Sequence, residues 1–170
     1  TYSPISFSAD NSYDTDGTVV GYWWDFGASD WNSKDKNVDF DYVRPGNYTI
    51  SLTVRDNDGL TNKSSLIIDV LNRPPEAMFY LPVHNLTYHK GESVEMQSWS
   101  EDMDGKIVST FWDFGDGATR TGINVSHKYK ALGDYPLHLT VTDDFGATNT
   151  SELIIHIINI LPTVVISANQ

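Results

Sequence analysis

Four aspartates stand two residues apart ahead of a glycine: Asp14 and Asp16 before Gly17, and Asp102 and Asp104 before Gly105. Carboxylate oxygens are hard ligands, and this alternation is how a calcium loop begins. Asp56 with Asp58 and Asp143 with Asp144 add further pairs. No glutamate stands twelfth, and a strand pattern follows where a calcium loop would lead into a helix. The same aspartates therefore also suit turn capping, in which an Asx side chain accepts from nearby backbone and the glycine takes a positive φ. Two expectations follow for Asp14, Asp16, Asp102 and Asp104: calcium ligands, or turn formers.

Catalysis finds less material. The chain has no Cys, no Gly-x-Ser-x-Gly, no His-Glu-x-x-His and no phosphate-cradling glycine loop. The five histidines, at 84, 89, 127, 138 and 156, are scattered. His127 and Tyr129 share one face of a strand, which reads as structural hydrogen bonding before a metal role. The expectation is a protein that is not an enzyme and needs no cofactor beyond the calcium just described.

Charge narrows the partners. With 11 Lys and Arg against 23 Asp and Glu, the 170 residues carry a formal charge of −12. A nucleic-acid groove or an anionic membrane surface needs clustered basic residues, so neither is expected as a partner. The longest apolar run, Leu153 to Ile158, is strand-sized and predicts no membrane insertion. The chain opens on Thr1 with no leader, which reads as a mature or excised segment.

The elements that hold these residues repeat. Trp112-Asp113-Phe114-Gly115-Asp116-Gly117 alternates apolar with polar residues and then stops at a glycine turn, the mark of a half-buried strand. Trp24-Asp25-Phe26-Gly27 is its echo, 88 positions earlier, and Asp14, Asp16 and Gly17 match Asp102, Asp104 and Gly105 at that spacing. Gly46, Tyr48, Leu52, Val54 and Asp56 match Gly133, Tyr135, Leu139, Val141 and Asp143 at 87. Period-2 patterning predicts strands over 18–26, 38–42, 48–54 and 61–71, and over 77–80, 93–98, 106–114, 125–129, 135–141 and 148–158. Residues 27–37 read as a polar loop. Asn72-Arg73-Pro74-Pro75 breaks the chain, because proline supports neither helix nor central strand. The pattern predicts an all-β fold of two tandem antiparallel sandwiches. Their core anchors are Trp24, Phe26, Tyr48, Trp112, Phe114 and Tyr135, with Trp24 and Trp112 between the sheets.

Three runs carry a family resemblance: Trp112 to Gly117, His127-x-Tyr129, and Gly133-Asp134-Tyr135-Pro136-Leu137-His138-Leu139-Thr140-Val141-Thr142-Asp143. With Ser100 to Gly105 ahead of them, the second half resembles the PKD (polycystic kidney disease) domain. The first half departs from that pattern, with Ala28-Ser29 for Asp116-Gly117, Phe40 for His127 and Arg55 for Thr142. The resemblance implies an immunoglobulin-like β-sandwich without catalysis. It also implies an extracellular or cell-surface setting, such as surface-layer proteins and secreted enzymes.

The expected domains are 1–71, a sandwich lacking its first strand, and 72–158, a complete one. Residues 159–170 are then the first strand of a following unit or a donor strand, because Asn159 to Ile166 echoes Asn72 to Phe79 at 87. Either the segment is cut from a longer array, or Pro162, Val164, Val165 and Ile166 complete the first domain of a second copy by strand addition. A filament follows if that contact repeats. Five Asn-x-Ser/Thr sequons, at Asn47, Asn62, Asn85, Asn124 and Asn149, are glycosylation acceptors. Trp31, Trp99 and Tyr13 are aromatics in polar stretches on which sugars could stack. Two functions compete: a structural building block, assembled with copies of itself or neighbouring PKD-like domains, and a carbohydrate- or matrix-binding accessory module of a larger secreted protein.

Overall fold

A computed structural model describes residues 4–28, 32–81 and 86–166. The chain divides into two compact units, Thr1–Asn72 and Arg73–Gln170.

Unit 1 holds β1 (Ile5–Ser8), β2 (Val19–Asp25), β3 (Asn32–Ser33), β4 (Asn37–Phe40), β5 (Gly46–Asp56) and β6 (Thr61–Val70). One sheet has the order β3-β2-β5-β6 and the other is β1-β4. Unit 2 holds β7 (Phe79–Tyr80), β8 (Thr87–His89), β9 (Val94–Ser98), β10 (Ile107–Asp113), β11 (Thr119–Thr121), β12 (Asn124–His127), β13 (Gly133–Asp143) and β14 (Thr148–Ile158). Its sheets run β11-β10-β13-β14-β8 and β12-β9-β7. β14 and β8 pair in parallel, and the other strand pairs are antiparallel. Each unit is an immunoglobulin-like β-sandwich.

Alternation builds the cores. In β13, Leu137, Leu139 and Val141 are fully buried against Ile155 and Ile157 of β14, Trp112 and Phe114 of β10's strand and turn, and Val94 and Met96 of β9. Unit 1 packs Phe7, Ala9, Trp24, Phe26, Tyr42 and Ile50. Each central indole bonds a loop carbonyl: Trp112 Nε1 donates to Gly122 O at 2.9 Å and Trp24 Nε1 to Asp35 O at 3.0 Å. Tyr48 and Tyr135 are partly buried against their cores. Their hydroxyls donate back four residues, to Arg44 O (2.8 Å) and Ala131 O (3.2 Å), which fixes a corner at the start of β5 and β13.

The glycine after each Trp-Asp-Phe is required twice over. Gly115 has φ +73°, and an added Cβ would lie 2.5 Å from Pro136 O; Gly27 has φ +68° and the same problem at 2.7 Å from Thr49 O.

Three expectations change. The strand expected over 77–80 shrinks to β7, with an isolated bridge between Glu76 and Glu101 ahead of it. Pro74 and Pro75 have no N–H to give a ladder. The loop expected over 27–37 contains β3, which pairs with β2. β8 and β11 carry no period-2 signal long enough to read. Among the described residues, 159–166 pair with no strand, and Val164, Val165 and Ile166 are exposed.

Candidate functional site

The Trp112 to Gly117 stretch spends its acids on its own backbone. Asp113 Oδ1 accepts from Gly115 N at 2.9 Å, and Asp116 Oδ1 accepts from Ala118 N at 3.0 Å. Asp116 Oδ2 lies 2.7 Å from His127 Nε2. The ring of His127 stacks on Phe114 and meets Tyr129 edge-on. His156 with Asp134 (2.7 Å), His138 with Glu152 and His89 with Glu92 (both 3.3 Å) are further pairs, spread over unit 2. His84 lies outside the described residues.

The aspartate turn gathers more charge. In unit 2, Asp104 N donates to Asp102 Oδ1 (3.3 Å), Arg73 N to Asp104 Oδ2 (3.0 Å) and Lys106 N to Asp144 Oδ1 (2.9 Å). Asp143 Oδ1 accepts from Phe145 N and Ala147 N. Asp104 is 5% exposed and Asp143 1%. Asp104 Oδ1 and Asp102 Oδ2 are buried with no hydrogen-bond donor. Burial, joined by the charges of Asp104 and Asp143, raises the Asp102 carboxyl above its ordinary range. In unit 1, Asp14 is raised in the same way, by desolvation, by Asp16 and by Asp56. There Asn57 Oδ1, accepting from Thr18 N at 2.7 Å, takes the place of Asp144. Asp16 itself is exposed. Among the described residues, no three acidic or imidazole side chains converge as a ready metal set. In unit 2 Asp102 Oδ1 and Asp144 Oδ1 cap the turn backbone, and Asp104 Oδ1 and Asp102 Oδ2 are left without a partner.

The third cluster is aromatic. Phe79 of β7 turns inward onto Trp112, so Tyr80 turns outward. Trp99, just past β9 and 60% exposed, stacks on Tyr80 with centroids 5.4 Å apart and planes 21° apart. Grooves flank this pair. One, of about 300 Å³, is lined by Tyr80, Glu95, Gln97, Asn124 and Ser126. The other, of about 760 Å³, is lined by Met78, Tyr80, Trp99, Glu101 and Glu152 among others. Tyr80, Gln97 and Asn124 form one row across the sheet. The sequence singled out Trp99, whereas Tyr80 went unnoticed because its outward direction depends on the inward Phe79. Tyr13 is exposed beside a cleft of about 410 Å³ in unit 1, lined by residues 11–15, Leu52, Val54 and 62–64. Trp31 lies outside the described residues.

Of the sequon asparagines, Asn47, Asn62, Asn124 and Asn149 are exposed, and Asn85 lies outside the described residues. Asn149 Nδ2 is engaged, donating to Pro75 O at 2.9 Å.

Two tandem immunoglobulin-like sandwiches, each with a Trp-Asp-Phe-Gly strand end and an aspartate turn, define the class of the molecule. The chain belongs to the PKD domain family, whose model matches residues 1–70 and 72–157. It is similar to the pre-pro-metalloprotease PrtV of Vibrio cholerae, with 34% identity over 146 residues, 84% of this chain and 15% of that protein. It is also similar to collagenase ColQ1 of Bacillus cereus, with 30% identity over 158 residues, 84% of this chain and 16% of that protein. A solved PKD1 domain of the V. cholerae metalloprotease shares 41% identity over 50% of this chain and 98% of its own, with a TM-score of 0.44. The chain thus spans about a sixth of the length of these two relatives.

Proposed function

We propose that the chain is a non-catalytic, extracellular accessory region of a larger secreted protein, and that it attaches that protein to carbohydrate or matrix polymer. The observation that carries this reading is the Tyr80–Trp99 pair. Two solvent-facing rings, flanked by grooves with amide, hydroxyl and carboxylate groups, offer apolar faces for a sugar or polymer and polar groups to orient it. The kinship with a metalloprotease and a collagenase supports an accessory role, since a polymer-degrading enzyme gains from being held on its substrate. Pull-down on insoluble polysaccharide and on collagen tests it. Trp99→Ala should lose most of the retained protein while its melting temperature stays put. Equal retention of wild type and variant on every polymer overturns the reading.

The aspartate turn of unit 2 fits a calcium ion in part. The buried Asp104 Oδ1 and Asp102 Oδ2 lack donors, and calcium completes its shell from backbone carbonyls and water. In that role the ion would hold Arg73 to Lys106 in place and stiffen the turn.

A second reading, self-assembly, rests on the unit 1 cleft beside Leu52 and Val54. Its walls, residues 11–15 and 62–64, correspond at the repeat spacing to 99–103 and 149–151, which hold Glu76 and Pro75 in unit 2. Pro162, Val164 and Ile166 repeat Pro75, Ala77 and Phe79. Sedimentation in the analytical ultracentrifuge decides: concentration-dependent oligomers lost on deleting residues 160–170 support it, and a monomer at all concentrations removes it.

A further inference from the structure

We infer that a lysine-lined cleft at one end of unit 2 binds an acidic sugar through its carboxylate or sulfate. The cleft, of about 470 Å³, is lined by Lys90, Gly91, Lys128, Tyr129, Lys130 and Ile160, together with Asn159. That volume is the size of a small-molecule site. Residues 73–170 carry six Lys and Arg against twelve Asp and Glu, and three of the six meet here.

None of the three lysines forms an ion pair with a described residue. The acid nearest in sequence, Glu92, is already committed: its Oε2 accepts from His89 N at 2.8 Å and lies 3.3 Å from His89 Nδ1. The three lysines are exposed and line one cleft with no ion-paired carboxylate among the described residues, in a chain with a twofold excess of acids. Such a trio lowers the energy of an anion placed among them.

The scaffold under the lysines is fixed. Gly91 N donates to Tyr129 O and Lys90 N to Ile158 O, both at 3.0 Å, and Tyr129 is buried. An added Cβ at Gly91 would meet nothing within 4 Å, so the cleft is open at that point. Ile160 and the methylene stems of the lysines give it an apolar side. A pyranose bearing an anionic group has that same division, an apolar ring face and a charged substituent. The net charge of −12 disfavours a long polyanion laid across the surface, and favours a short or terminal acidic sugar seated in the cleft.

This site lies apart from the Tyr80–Trp99 pair and does not depend on it. Isothermal titration at low salt tests it with four probes: trigalacturonate, a sulfated disaccharide, neutral maltotriose and the peptide Asp-Gly-Asp. The expected result is binding of trigalacturonate or the sulfated sugar, at least tenfold weaker in Lys128→Glu/Lys130→Glu and weakened by 0.3 M salt, with maltotriose silent and Trp99→Ala unchanged. The stronger of the two acidic sugars identifies the anionic group. Lys128→Gln/Lys130→Gln, which only removes charge, should weaken binding less than reversal and serves if the reversed variant misfolds. Absence of binding by both acidic sugars, binding indifferent to these substitutions, or equal binding of Asp-Gly-Asp overturns the inference.

Discussion

His127 lies flat on Phe114, with ring planes 2° apart and centroids 4.2 Å apart, while its Nε2 reaches Asp116 at 2.7 Å. Unit 1 solves the same packing without a titratable group: Phe40 stacks on Phe26 at 3° and 4.5 Å. The position thus demands a flat ring first and a hydrogen bond second. His127→Phe should fold and cost only about 1 kcal/mol, the order of one side-chain hydrogen bond. Asp116 keeps its bond from Ala118 N and some solvent access. His127→Ala should cost more, about 2–3 kcal/mol, by opening a cavity against Phe114. Urea denaturation of the two variants ranks them; the reverse order would mean that the Asp116 bond outweighs the ring packing.

The two cores predict separable melting. Trp112 is fully buried and its indole N–H holds the Gly122 carbonyl. Trp112→Ala should cost about 3–5 kcal/mol in cavity and lost contacts. Calorimetry should show one transition lowered or lost and the other kept, with Trp24→Ala giving the complementary result. A single transition shifted equally by both substitutions would mean that the units unfold as one.

Two neighbouring glycines should differ sharply. Gly115 and Gly117 both have positive φ, +73° and +89°, so alanine strains the backbone at each by about 1 kcal/mol. At Gly117 the new methyl meets open space, whereas at Gly115 it meets the Pro136 carbonyl. Gly115→Ala should therefore destabilise unit 2 by roughly 2 kcal/mol more than Gly117→Ala, the order of an overpacked core site, measured by chemical denaturation.

Much of this was legible in the sequence, for physical reasons. Trp24, Phe26, Trp112 and Phe114 announce themselves because a strand buried on one face must alternate, and the repeat doubles each signal. The PKD resemblance and the all-β fold rest on those same residues. β8 escaped because a three-residue parallel strand beside β14 depends on a partner about 70 positions away, not on local pattern. The Tyr80–Trp99 stack escaped for a similar reason: two residues far apart in the chain meet only after β7 pairs with β9. The lysine cleft joins residues 90, 128, 130 and 160, and only the folded backbone brings them together.

The aspartate turns should make stability fall as pH rises out of the acid range. The Asp102 carboxyl is raised above 3.8 chiefly by desolvation, and Asp14 shares the direction. For such a group the unfolded chain releases its proton first. Stability is greatest below the unfolded value, falls as pH climbs from about 3.8 through the raised folded value, and stays lower at neutral pH. Asp10 runs the other way: its hydrogen bond and charge contact with Lys36 lower it, so its contribution is present above 3.8 and lost on acidification. At pH 7 in chelator, Asp102→Asn should then be neutral to stabilising for unit 2, because it removes a desolvated charge. Calcium should act on the same charge. At ten times its Kd it would add about 1.4 kcal/mol, roughly 6–11 °C in melting temperature for a domain of this size. Asp104→Asn should abolish that gain, since it replaces a buried oxygen without a donor. Thermal melts of wild type, Asp102→Asn and Asp104→Asn, with calcium and with chelator, check both halves. If calcium leaves every melt unmoved while Asp102→Asn still stabilises, the aspartates are turn formers that tolerate their own repulsion, and the cation reading falls.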